Sequence, residues 1–226
     1  MVDVTSLPEP VRDYIERVLP SPVATVQRVR IEQTGEMILK RGARPLTFTP
    51  TQELATDRVA FAWHARFRML GPVALRVTDS YDGREGRLEV RAFGLPLQRN
   101  RGPELAQSEA IRYLAEFAWA PPAILSNPQL QWRQLDERTV ELATPVAGER
   151  IAVQLTFSET GEISQASAQR PRLGSGNAPT PWIGDYADSR ELGGVRVPTR
   201  AEVRWKLPDG PLTYWRGTVT SLRLCD

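Results

Sequence analysis

Val59-Ala-Phe-Ala-Trp-His-Ala-Arg-Phe-Arg-Met69, Gly71-Pro72, Val73-Ala-Leu-Arg-Val-Thr-Asp-Ser-Tyr81 and Asp82-Gly-Arg-Glu-Gly86 decide the fold. In 59–69 every odd position is apolar, with Phe61, Trp63 and Phe67 the largest, while His64, Arg66 and Arg68 take even positions. A period of two is the signature of a strand with one buried face. After the turn at Gly71-Pro72 the pattern resumes with Val73, Leu75 and Val77 on one side and Arg76, Thr78 and Ser80 on the other. A second turn at Asp82-Gly83 and Gly86 leads to Leu88, Val90 and Ala92. Three consecutive strands with short turns predict an antiparallel meander, with Trp63 and Leu75 on the same side of the sheet.

Outward from this core the same logic continues. Toward the N-terminus, Val29, Ile31, Met37 and Leu39 alternate with polar residues, and Gly35 suggests a bend or bulge. Residues 8–19 predict a helix: Val11, Ile15, Val18 and Leu19 share a face, and Pro20 and Pro22 stop it. Toward the C-terminus, residues 103–119 predict a second, covering helix. Its apolar stripe is Ile111, Leu114, Ala115 and Ala118, its polar set Glu109, Arg112 and Glu116, and Pro121-Pro122 ends it. Strands are expected again at 130–135, 138–144, 150–157, 162–170, 185–191, 196–207 and 212–224, with a flexible loop at 172–181. Some ten strands and one long internal helix predict an α+β fold. Residues 1–226 form a single domain whose helices gather on one face of a curved antiparallel sheet.

Composition excludes several functions. At 226 residues and 41% apolar content, the chain can build a large core. Arginine supplies 27 of the 29 basic residues, but these are interleaved with 27 acids, as in Asp82-Gly-Arg-Glu-Gly-Arg-Leu-Glu89. No nucleic-acid partner is expected, because a phosphate-binding surface concentrates its charge. One cysteine, Cys225, and one histidine, His64, exclude an internal disulfide and a cysteine or multi-histidine metal site. No phosphate loop, dinucleotide fingerprint or nucleophile elbow is present, and neither cofactor nor metal is expected. No apolar run could span a bilayer, so no integral membrane segment is expected. Acids stand at the N-terminus where a signal peptide would be basic. A cytoplasmic location is therefore expected, with a periplasmic or membrane-associated one as the alternative if a natural leader was trimmed.

Two features carry the functional reading. Asp79 and Tyr81 continue the apolar parity of Val73, Leu75 and Val77, so both should face inward. A buried carboxylate needs a partner, and Arg112 is the candidate. Six tryptophans (63, 119, 132, 182, 205 and 215) supply more aromatic surface than a small core needs, which suits a concave sheet holding an apolar ligand.

The text Glu109-Ala-Ile-Arg-Tyr-Leu-Ala-Glu-Phe-Ala-Trp-Ala-Pro121 resembles the signature of an uncharacterised bacterial family, a domain of unknown function. So do Leu7-Pro-Glu-Pro-Val11-x-x-Tyr14, Phe61-x-Trp63-x-Ala65, Asp79-x-Tyr81-x-Gly83-x-x-Gly86, Pro181-Trp182-x-Gly184, Gly194-x-x-x-Pro198 and Tyr214-Trp215-Arg216-Gly217. That family implies no activity. More distantly, Asp185-Tyr186 and Gly193-Gly194-Val195-x-Val197-Pro198 resemble a passage of the LolA-like lipoprotein-carrier superfamily. This second resemblance implies a half-barrel closed by helices, with acyl chains held in the hollow.

The expectation is binding of a lipid or other hydrophobic small molecule between the sheet and helix 103–119. Phe61, Trp63, Phe67 and Leu75 are expected to line the site, with Trp119 and Trp182 at its rim. The alternative is a cofactor-free enzyme in the same cavity. There Asp79 or Glu116 would act as acid or base, with Tyr81 and Arg112 polarising the substrate.

Overall fold

Phe61, Trp63, Ala65 and Phe67 are buried while His64, Arg66 and Arg68 are exposed, as period-two alternation demands. The computed structural model describes residues 2–20, 26–68, 74–172 and 176–226. The Gly71-Pro72 turn, with Met69 and Val73, lies outside them. Among the described residues the first half of the chain forms α1 (Glu9–Val18), β1 (Arg28–Met37), β2 (Leu46–Ala55), β3 (Phe61–Arg68), β4 (Ala74–Tyr81), β5 (Gly86–Ala92) and β6 (Leu95–Asn100). Then come α2 (Pro103–Ala115), a 3-10 turn Glu116–Trp119 and the short α3 (Ala123–Ser126). The rest is β7 (Gln131–Gln134), β8 (Thr139–Val146), β9 (Glu149–Phe157), β10 (Ile163–Pro171), β11 (Pro179–Leu192), β12 (Val195–Leu207) and β13 (Gly210–Cys225).

All thirteen strands pair antiparallel in one curled half-barrel sheet, in the order β6-β5-β4-β3-β2-β1-β13-β12-β11-β10-β9-β8-β7. Both halves are therefore meanders, joined in the middle where β1 pairs with β13. The helical segment carries the chain from one sheet edge, β6, to the other, β7. Helix α2 packs against β4 and β5 on one wing and β8, β9 and β10 on the other. Helix α1 buries Val11, Tyr14, Ile15 and Val18, a stripe at helical spacing, against β8 and β12.

Several expectations need correction. The sheet has thirteen strands rather than some ten: the eleven segments expected from alternation are joined by β2 and β6. Both carry proline, Pro50 and Pro96, which lacks the N–H that a ladder uses. Around Pro50 the β1–β2 pairing lapses between Glu32↔Thr51 and Gly35↔Phe48. The β1–β13 register shifts in the same place, between Glu32 and Gln33, so the irregularity falls there rather than at Gly35. Gly35 instead faces Gly217 across β1 and β13, and the Phe48 and Trp215 rings lie over that pair, 6.1 Å apart. Leu39 follows the end of β1 and is 68% exposed rather than buried. The covering helix is α-helical only to Ala115. The strand expected at 185–191 begins at Pro179, which shortens the 172–181 loop.

Candidate functional site

A cavity of about 420 Å³ lies between α2 and the concave face. Trp63 and Phe67 from β3 and Leu75 and Val77 from β4 form one wall. Trp182 from β11 and Trp215 from β13 stand on another. Leu39 and Gln98, both exposed, mark its opening. A wider, more open hollow of about 790 Å³ lies on the opposite face, where Arg66, Arg68, Arg200 and Arg216 stand with Glu36, Asp185 and Glu202 among threonines and glycines. It offers no apolar enclosure, so the inner cavity is the better site for a small molecule.

Helix α2 does not present its alanine stripe to the cavity. The residues it contributes are Glu109 and Arg112, followed at its C-cap by Glu116, all on one side at i, i+3 and i+7. The sheet curls far enough to bury this polar set as well as the apolar stripe; Glu109 is only 2% exposed. Arg112 organises it. Its Nη1 donates to Asp79 Oδ2 at 2.7 Å and its Nε to Glu116 Oε1 at 2.8 Å. The Gln52 amide donates to Glu116 Oε2 from β2. The guanidinium lies 4.8 Å from the Phe61 ring centre and 5.1 Å from that of Trp63. Burial alone would lower the Arg112 pKa, but Glu116 and Asp79 beside it prevail and raise it.

A second guanidinium closes the other side. Arg170, at the end of β10, donates from Nε to Ser108 O (3.1 Å) and Ser108 Oγ (2.9 Å), and from Nη2 to Glu109 Oε1 (3.4 Å). It also lies 5.5 Å over the Trp182 ring. Burial, reinforced by the charge of Asp79, pushes the Glu109 carboxyl up to about 8 against the pull of Arg170 and Arg112.

Of the expected lining residues, Trp63, Phe67, Leu75, Trp119 and Trp182 do border the cavity. Trp119 and Trp182 stand deep in its wall rather than at a rim, each 3% exposed and bonded through Nε1, to Pro198 O and the Tyr214 hydroxyl. Phe61 does not border it, because the Arg112 guanidinium covers its ring. Tyr81 is likewise displaced. It pairs with Gly86, where a Cβ would stand 2.9 Å from the backbone of Leu105 and Ala106, so the first turn of α2 lies over that end of the strands. Burial raises the Tyr81 phenol pKa, with a further push from Asp82. Asp79, Arg112 and Glu116 do border the cavity. Gln52 and Arg170 were missed, although each shares parity with buried neighbours, Gln52 with Phe48 and Leu54, Arg170 with Ala166. A polar residue on an inward parity was the available signal.

Among the described residues no three carboxylate, imidazole or thiol groups converge to hold a metal ion. No helix among them is long and apolar enough to cross a membrane.

The curled antiparallel sheet with its crossing helix has the fold of a LolA-like half-barrel. A LolA superfamily protein from Nitrosomonas europaea superposes with a TM-score of 0.52 at 11% identity, covering 100% of this chain and 95% of that one. A domain described as an outer membrane lipoprotein-sorting protein, from Vibrio parahaemolyticus, gives 0.50 at 9% identity over 87% of this chain and 85% of its own. At these identities the likeness concerns the fold. Residues 2–217 match the model of a family of unknown function, DUF6544, and the chain belongs to that family. No protein of curated function matches the sequence.

Proposed function

We propose that this protein binds a lipid or other hydrophobic small molecule in the cavity beneath α2. The observation that carries the reading is the cavity itself. At about 420 Å³ it falls within the range of small-molecule sites, and its walls are mainly aromatic and aliphatic. Interiors are otherwise close-packed, so a hollow of this size, enclosed by rigid aromatic side chains, is suited to a guest. The LolA-like fold is consistent with this but argues by analogy only. The acid–base alternative has less support. Asp79 and Glu116 are both held by Arg112, and Tyr81 lies away from the cavity.

Native mass spectrometry of the purified protein should reveal a co-purified amphiphile. Titration with ten-carbon amphiphiles should change tryptophan fluorescence, and Trp63→Ala should weaken binding about tenfold or more, the scale set by losing a large buried ring. Absence of both a co-purified molecule and any binding would overturn the reading.

A further inference from the structure

Three side-chain atoms of residues that border the cavity are sealed from solvent and lack a hydrogen-bond partner among the described residues: Trp63 Nε1, Asp79 Oδ1 and Glu109 Oε2. Their side chains are buried, with residue exposures of 3%, 9% and 2%. Buried polar groups are paired in the great majority of cases, because an unpaired one has lost its water without replacement. Three such atoms around one hollow mark where a guest's polar head would sit.

Their chemistry limits the head. Trp63 and Asp79 are direct partners across β3 and β4, so both side chains rise from neighbouring points on the same face. One offers an N–H donor and the other a carboxylate acceptor. A hydroxyl can accept from the first and donate to the second. A carboxylate head cannot donate to Asp79, and it would meet the negative charge of Asp79 and Glu116. The two guanidiniums bordering the cavity are engaged already, Arg112 with Asp79 and Glu116, Arg170 with Ser108 and Glu109. An ammonium head would leave the indole N–H unpaired and stand close to the Arg112 guanidinium.

We propose that the cavity selects a hydrocarbon chain with an uncharged hydroxyl head over chains with a carboxylate or ammonium head. This inference rests on the ligand-binding reading of the cavity and specifies its ligand class. A glycerol ester brings a second hydroxyl that can pair with Glu109 Oε2, whereas a simple alcohol satisfies Trp63 and Asp79 alone.

Isothermal titration of the intact chain at pH 7 with 1-decanol, 1-monodecanoylglycerol, decanoate and decylammonium tests it at constant chain length. At least one hydroxyl-headed ligand should bind about tenfold tighter than both charged ones, the scale of a satisfied buried pair. Tighter binding of the glycerol ester would assign Glu109 to the head site; equal binding of the two would confine it to Trp63 and Asp79. Both results support the proposal. Decanoate or decylammonium binding as tightly as either hydroxyl ligand overturns it and leaves the apolar cavity standing. Failure of all four to bind overturns the ligand-binding reading itself, and the proposal with it. In Trp63→Phe, which keeps a ring but removes the N–H, the preference for hydroxyl should narrow several-fold; an unchanged preference also overturns the proposal. The four-ligand series on the unaltered chain needs no variant to fold.

Discussion

Helix α2 is buried on two sides, against two different kinds of surroundings. One side, with Ala110, Ile111 and Leu114, packs dry into the core. The other, with Glu109 and Arg112 and continued by Glu116 at the cap, is largely removed from water, the Arg112 and Glu116 side chains keeping 13% and 14% exposure, but it borders a cavity and is held by charge pairs. The dry side can be explained by apolar area alone. The charged side cannot, because burying ionised groups costs several kcal/mol per ion unless geometry and hydrogen bonds compensate. Burial of this second kind is a poor source of stability, and that is the reason to look for a function in it.

The sharpest way to break the contrast is Arg112→Ala. It leaves Asp79 and Glu116 buried without their shared cation and should destabilise by about 3–5 kcal/mol in denaturant unfolding, as for other broken buried pairs. A loss under about 1 kcal/mol, the level of an exposed pair, would mean that water reaches this side freely. Leu114→Ala on the dry side should cost about 2–4 kcal/mol through a cavity of its own while leaving ligand preference unchanged. Altered preference in that variant would erase the distinction between the two sides.

A smaller effect follows from Glu109, which faces Asp79, Glu116, Arg112 and Arg170. Its carboxyl is raised from 4.5 to about 8, so between those values the folded chain holds a proton that the unfolded chain has released. Stability from this group therefore falls as pH rises through that window and is flat below it. Glu109→Gln should remove that part of the slope, seen as a smaller Tm difference between pH 5 and pH 8 than in the unaltered chain. The same slope in both proteins would show that Glu109 titrates normally. The smallest effect is expected from Gln107→Ala, which removes only an exposed hydrogen bond to Glu149 and should cost less than about 1 kcal/mol.

The same contrast explains what could be read from the residues. The β3–β5 meander is legible because each of its strands shows one face apolar and the other polar. Asp79 stands out as an acid on an inward parity, with Arg112 as its candidate partner. Glu109 does not stand out in this way, and Glu116 is legible only as a candidate acid on the covering helix. A polar set at i, i+3 and i+7 on a helix ordinarily faces water, and only the curl of a thirteen-strand sheet around α2 turns it inward. Arg170 comes from a strand 61 residues after Glu109, a tertiary encounter that no local pattern encodes. Pro50 concealed β2, and with it Gln52, the remaining partner of Glu116.

The central seam of the sheet has a consequence in time. β1 pairs with β13, Arg28 lying beside Cys225, so an early strand waits for the last one before the two wings can join. Such distant pairings carry a large loop-closure cost and slow the approach to the native state. Until the seam forms, the free edges of both wings and the aromatic side chains of the hollow are open to other chains. Refolding should therefore be limited by closure of this seam, and aggregation during refolding should rise with protein concentration. A molecule that filled the hollow early would shield those aromatic surfaces before the wings join.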